Sequence, residues 1–85
     1  EEIDIIAEFQ SFIVFVEVKT RANISYGRPE DFVTKKKQRH IINAANEYLI
    51  ANKIEKEARF DIVSVTNSDG DPKIEHIPDA FYPLL

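Results

Sequence analysis

The chain opens with two apolar ribbons. From residue 2 to residue 9 the sequence alternates, with Ile3, Ile5, Ala7 and Phe9 on one side and Glu2, Asp4, Ile6 and Glu8 on the other. That is the two-residue period of a strand with one apolar face. Residues 12 to 20 are rich in valine, isoleucine and phenylalanine, the composition of a buried central strand. Only Gln10 and Ser11 separate the two, so a tight hairpin is expected, although no Asn-Gly or Asp-Gly pair marks the turn. A two-residue turn sets Phe9 opposite Phe12, Ala7 opposite Val14, Ile5 opposite Val16 and Ile3 opposite Val18. The same register sets Asp4 opposite Glu17 and Glu2 opposite Lys19. Slipping it by one residue puts Asp4 among the valines, so the apolar pattern selects this pairing.

Residues 21 to 29 read as a loop, broken by Asn23, Ser25, Gly27 and Pro29. A helix follows, opened either by Pro29 with Glu30 and Asp31 or by Thr34 as a cap before Lys35. Its apolar stripe runs through Ile41, Ile42, Ala45, Tyr48 and Leu49, and Asn52 is the expected end. Residues 53 to 57 form a charged connection. Residues 59 to 66 read as a third strand with little alternation, as when both faces are covered. Residues 67 to 72 are a turn cluster, 73 to 77 a short edge strand, and Pro78 to Phe81 a helical turn or tail. The predicted order is β-β-α-β-β, an α/β fold with a mixed sheet and a covering helix. The route from the second strand through the helix to the third is a crossover, which implies a parallel pair. Phe9, Phe12, Phe15, Phe32 and Phe60 read as core.

Length makes this thin. A chain of 85 residues buries only about 60% of its unfolded surface, so a partner subunit or a further segment would help it. A strand pattern that begins at Glu1, with no initiator methionine, leads us to expect a single domain over 1–85 that is a fragment or a processed piece. No cysteine is present, which excludes disulfides and thiolate metal sites. The longest apolar run, Phe12 to Val16, is too short for a membrane span. A soluble cytoplasmic protein with no membrane partner is the expectation.

Charge distribution alters the picture more than net charge does. The chain carries −4 overall, yet residues 19 to 40 hold seven cations against two anions. These are Lys19, Arg21, Arg28, Lys35, Lys36, Lys37 and Arg39 against Glu30 and Asp31, in a chain otherwise strongly acidic.

The hairpin's polar face carries the candidate chemistry. Asp4 facing Glu17 at ~5 Å repels by roughly 3 kcal/mol at an effective dielectric of about 20, or by under about 1 kcal/mol on an exposed strand pair. A divalent cation reverses that sign. Magnesium binds through one or two carboxylates and retains waters, and it activates water and stabilises charge on phosphate. Lys19, on the same face as Glu17, could orient the attacking water or neutralise the phosphate. The alternative is a solvated strand face with a Glu2–Lys19 ion pair. Lys35, Lys36, Lys37 and Arg39 are either a solvated helix face or, following a phosphodiester site, a grip for backbone phosphates. Cations at a helix N-terminus oppose its dipole, so helix stability does not explain them. Gln38 is either a satisfied polar group at the core's edge or an accessory to the site. His40 and His76 have no metal-ligand spacing and read as surface or edge residues.

The blocks EEIDIIAE, FIVFVEVKTR, YGRPEDFVTKKKQR and RFDIVSV, in this order, resemble the YraN family of predicted endonucleases. That family is similar to archaeal Holliday junction resolvases within the PD-(D/E)XK superfamily. The resemblance covers nearly the whole chain and implies a restriction-endonuclease-like core. It also implies that Asp4 and Glu17 bind Mg2+ or Mn2+ with the Val18 carbonyl, and that Lys19 is the catalytic lysine. Gln38 and Glu2 would be accessory, and Arg21, Lys35, Lys36, Lys37 and Arg39 would contact nucleic acid. Two departures stand out. Glu1 occupies the place of a family glycine, and the family's N-terminal helix and first strand are missing, which leaves an edge that invites a homodimer. The leading expectation is a metal-dependent nuclease acting on DNA, branched DNA included. A catalytically silent nucleic-acid-binding module and a structural or interaction domain are the alternatives.

Overall fold

Ile5–Phe9 (β1) and Phe12–Arg21 (β2) form the expected antiparallel hairpin, with Phe9 opposite Phe12, Ala7 opposite Val14 and Ile5 opposite Val16. The computed structural model describes residues 3–21, 33–68 and 70–83, and the side chains of Arg21 and Ser68 lie outside that description. Without an Asn-Gly pair, the turn puts Gln10 in the left-handed region at φ 54, a conformation costing a non-glycine residue roughly 1–2 kcal/mol. Two contacts from residues 56 and 57 brace the turn. Lys56 Nζ donates to the Gln10 carbonyl at 3.1 Å while pairing with Glu8, and the Glu57 N–H donates to the Ser11 carbonyl at 3.3 Å.

The ladder stops at Ile5–Val16. The expected extension through Ile3–Val18 and Asp4–Glu17 is not continued as strand pairing, and Glu2, with its expected partner role toward Lys19, lies outside the described residues. Asp4 serves the sheet in another way, with its side chain (below).

Lys35–Ala51 (α1) crosses from β2 to Glu57–Ser68 (β3), which lies parallel to β2 from Phe12–Glu57 to Arg21–Thr66. Of the two possible helix starts, Thr34 is the cap: its Oγ1 accepts the Lys37 N–H at 3.1 Å. Thr34→Ala should therefore lower stability by about 1 kcal/mol, read as a lower thermal midpoint; an unchanged midpoint would remove the cap from the account. The helix ends at Asn52 as expected. Lys53 stands where glycine is common, at φ 54, with Lys53 N–H to the Ile50 carbonyl at 3.1 Å and Ile54 N–H to the Leu49 carbonyl at 2.9 Å. Both bonds satisfy carbonyls that a helix end would otherwise orphan.

Asp71–Phe81 (β4) completes a mixed four-stranded sheet in the order β1-β2-β3-β4. This strand is far longer than the expected 73–77, and the predicted turn cluster contracts, since Asn67 pairs with Pro72 and Ser68 with Asp71. Gly70, at φ 73, supplies the turn's left-handed position. The helical turn expected over Pro78 to Phe81 is strand instead. An edge strand tolerates proline because one side of its backbone has no ladder to complete. The register shifts between Phe60 and Ile62, with Asp79 at φ 52, so the strand kinks and resumes.

One face of the sheet is packed under α1. Phe15, Phe60 and Phe81 sit side by side on three adjacent strands, with ring centroids 5.7 and 5.2 Å apart, and Tyr48 meets Phe15 edge-on at 6.0 Å. Ile13, Ile62, Val33, Ile41 and Ala45 fill the remainder. The opposite face differs from expectation. No element among the described residues covers it, so Phe9, read as core, is 51% exposed. Phe9 and Phe12 instead receive the Arg59 guanidinium at 5.5 and 5.7 Å. An open depression of about 580 Å3 runs over Ile5, Ala7, Val14, Val16 and Val63. Among the described residues no helix is long and apolar enough to cross a membrane.

Candidate active site

The side chains of β2 that face α1 run Ile13, Phe15, Glu17, Lys19, so the core row ends on a carboxylate. Glu17 is only 7% exposed. A carboxylate this deep needs compensation, and two ammonium groups supply it. Lys19 Nζ and Lys37 Nζ each stand 3.9 Å from Glu17 Oε2. Lys19 arrives by strand alternation, as the sequence predicts. Lys37 arrives because the Thr34 cap fixes the first turn of α1 over the end of β2, and this moves it from the expected phosphate grip to the buried carboxylate.

Asp4 comes to the same place from the other strand. It is exposed, and its Oδ2 accepts the Val18 N–H at 2.9 Å. The carboxylate thus bonds the amide of the residue between Glu17 and Lys19, just beyond the last ladder pair. One oxygen is engaged, but a carboxylate offers about four lone-pair positions. Asp4, Glu17 and the Val18 carbonyl are all hard oxygen donors, the type that suits magnesium or manganese. No group of three or more His, Cys, Asp or Glu able to hold a metal is present among the described residues. Any ion here would therefore lean on the carbonyl and water, which is magnesium's habit and not zinc's.

Gln38 is buried, and its Nε2 donates to the Val33 carbonyl at 3.0 Å. Of its two readings this supports the satisfied polar group, one that also ties residue 33 to the helix. Lys35, Lys36 and Arg39 are exposed on the first two turns of α1. Arg21 closes β2, and Arg28 lies outside the described residues.

Sequence reasoning missed a second charged cluster, on the uncovered face. Asp61 is 1% exposed and fully engaged. Arg59 donates to it twice, at 2.9 and 2.8 Å; the Asp79 N–H donates at 3.0 Å, and His76 Nε2–H at 2.7 Å. Burial pushes the Asp61 carboxyl up. The bonds from Arg59, Asp79 and His76 outweigh that and leave it below the usual carboxylate range. The two-residue spacing of Arg59 and Asp61 was the available signal, since it puts both on one strand face.

Comparison with known proteins agrees with the hairpin's motifs. Residues 1–65 match the family model described as Uncharacterised protein family UPF0102. A UPF0102 protein of Flavobacterium psychrophilum is 49% identical over 81 residues, covering 95% of this chain and 68% of the relative. One from Phocaeicola vulgatus is 43% identical over 85 residues, covering 100% of this chain and 70% of its own length. Another, from Geobacter metallireducens, is 51% identical over 81 residues, covering 94% and 66%. The chain thus spans about two thirds of such relatives, and it belongs to the UPF0102 family, the YraN-like family of predicted endonucleases.

Proposed function

We propose that this UPF0102 chain carries the core of a metal-dependent endonuclease acting on DNA, branched DNA included, on a restriction-endonuclease-like scaffold. The observation that carries this reading is the buried Glu17, flanked by Lys19 and Lys37, with the Asp4 carboxylate on the adjoining Val18 amide. Burying a carboxylate where a core row could have ended in one more valine is costly for stability alone. Asp4, Glu17 and the Val18 carbonyl would hold Mg2+ or Mn2+, which when bound lowers the pKa of water and stabilises charge on phosphate. Lys19 orients the attacking water or balances the phosphate's developing charge. Lys37 balances the charge of Glu17. Lys35, Lys36, Arg39 and Arg21 contact backbone phosphates, Glu2 is accessory, and a homodimer is the assembly that would present two such sites to branched DNA.

One observation favours a catalytically silent nucleic-acid-binding module. Glu17 is already balanced by two ammonium groups, so the site has no charge deficit that demands a metal. A magnesium or manganese titration followed by amide chemical shifts separates the two. The nuclease reading expects shifts centred on Glu17 and Val18 that Asp4→Asn abolishes; a titration that moves neither sinks the metal site. Cleavage of labelled linear, flapped and four-way-junction DNA is the direct assay, and no product on any of them would remove the nuclease reading.

A further inference from the structure

Lys35, Gln38, Arg39, Ile42, Asn43 and Tyr82 line a recess of about 290 Å3 along the first turns of α1. Three kinds of surface meet there. Lys35 and Arg39, four residues apart and so on one helix face, are exposed and have no acidic partner among the described residues. Asn43 contributes an exposed amide, beside Gln38, whose Nε2 donates to the Val33 carbonyl. Ile42 and the Tyr82 ring contribute apolar area.

Tyr82 is 62% exposed, so packing does not explain it. Its backbone directly follows Phe81, which is buried and stacked on Phe60 at 5.2 Å and 20°. A solvent-facing aromatic ring beside two cations with no acidic partner among the described residues matches the chemistry that binds single-stranded nucleic acid. The ring face takes a base, cations take the phosphates, and amides read the base edge. The volume lies at the lower limit of ligand sites, about 300 Å3, a scale that suits one nucleotide and not a duplex.

We propose that this recess receives one unpaired nucleotide of a nucleic-acid strand, with the base stacked on Tyr82 and its flanking phosphates held by Lys35 and Arg39. The inference rests on the nuclease reading and sharpens its substrate: a strand with an unpaired position beside the scissile bond. The placement fits. Lys37, which reaches Glu17, lies on the same first turns of α1 that line the recess.

The test measures binding of the full chain to labelled oligothymidylate and to a blunt duplex of equal length, in EDTA so that no cleavage occurs. Tyr82→Ala should weaken the single strand by about 5- to 100-fold, the effect of one lost stacked base, and leave duplex affinity and the thermal midpoint alone. Tyr82→Phe should restore it, since the stack needs the ring and not the hydroxyl. Arg39→Ala should reduce the salt slope by about one ion. Undiminished single-strand affinity in Tyr82→Ala overturns the recess, as does an equal loss on strand and duplex. Wild-type protein that binds duplex alone removes this inference and leaves the nuclease reading intact, whereas binding to neither removes both.

Discussion

Asp61→Ala should cost about 3 kcal/mol of stability, the lower end of what breaking a buried ion pair does. The carboxylate is 1% exposed and accepts four hydrogen bonds from three residues. Removing it strands the Arg59 guanidinium and the Asp79 N–H together. Arg59 keeps some access to water at 19% side-chain exposure, which holds the loss to the lower end. In a domain of this size each kcal/mol moves the midpoint by about 4–8 °C, so the variant should melt far below wild type. The Asp61 bond is also what anchors the kink of β4 at Asp79, so β4 should exchange its amides faster.

The pH dependence of that difference has a definite sign. The folded carboxyl titrates below its ordinary value, so Asp61 binds fewer protons folded than unfolded. Its stabilisation is complete above the unfolded value near ~3.9 and is lost as pH falls through the lower folded value. Wild type and Asp61→Ala should therefore converge in strong acid and stay separated at neutral pH. A gap that stays constant through that range would mean the carboxylate's charge is not what holds the cluster.

Where the sequence could be read, one strand's own pattern was enough. The valine and isoleucine alternation specified the hairpin register, because any slip exposes the apolar row, and Thr34 was one of the two helix starts the pattern offered. What escaped reading depended on how elements meet. Lys37 looked like one cation in a run until the docking of α1 set it on Glu17. Asp61 acquires its role only where β4 brings His76 and Asp79 to it. Pro78 resembled a strand stop because edge placement, which makes proline harmless, is a property of the sheet. Phe9 was read as core because its alternation is that of a buried face, and alternation cannot report whether another element arrives to bury it. Asp4 and Glu17 are the mixed case. The register brought Asp4 to the right end of β2, but its carboxylate spends a bond on the Val18 amide in place of ladder pairing.

Within the proposed site, Lys19→Ala should lower the single-turnover cleavage rate by about 10^2- to 10^4-fold, the range for losing a positioned proton-transfer or charge-stabilising group. DNA affinity should change little, because the proposed phosphate contact is spread over Lys35, Lys36 and Arg39 on the helix. The fold should survive, since Lys19 lies at the rim of the core and Lys37 remains to balance Glu17. Glu17→Gln asks the complementary question. It preserves shape but leaves two ammonium groups facing a neutral amide, so cleavage and the magnesium-dependent amide shifts should vanish together while single-strand binding persists. Should Glu17→Gln lose stability yet keep its cleavage rate, the buried carboxylate is a structural ion-pair centre and catalysis resides elsewhere. If Lys19→Ala cleaves at the wild-type rate, the lysine's role reduces to charge balance, which Lys37 can supply alone. Loss of cleavage in both variants, with metal response lost only in Glu17→Gln, is the pattern that assigns metal binding to the carboxylate and the later chemical step to Lys19.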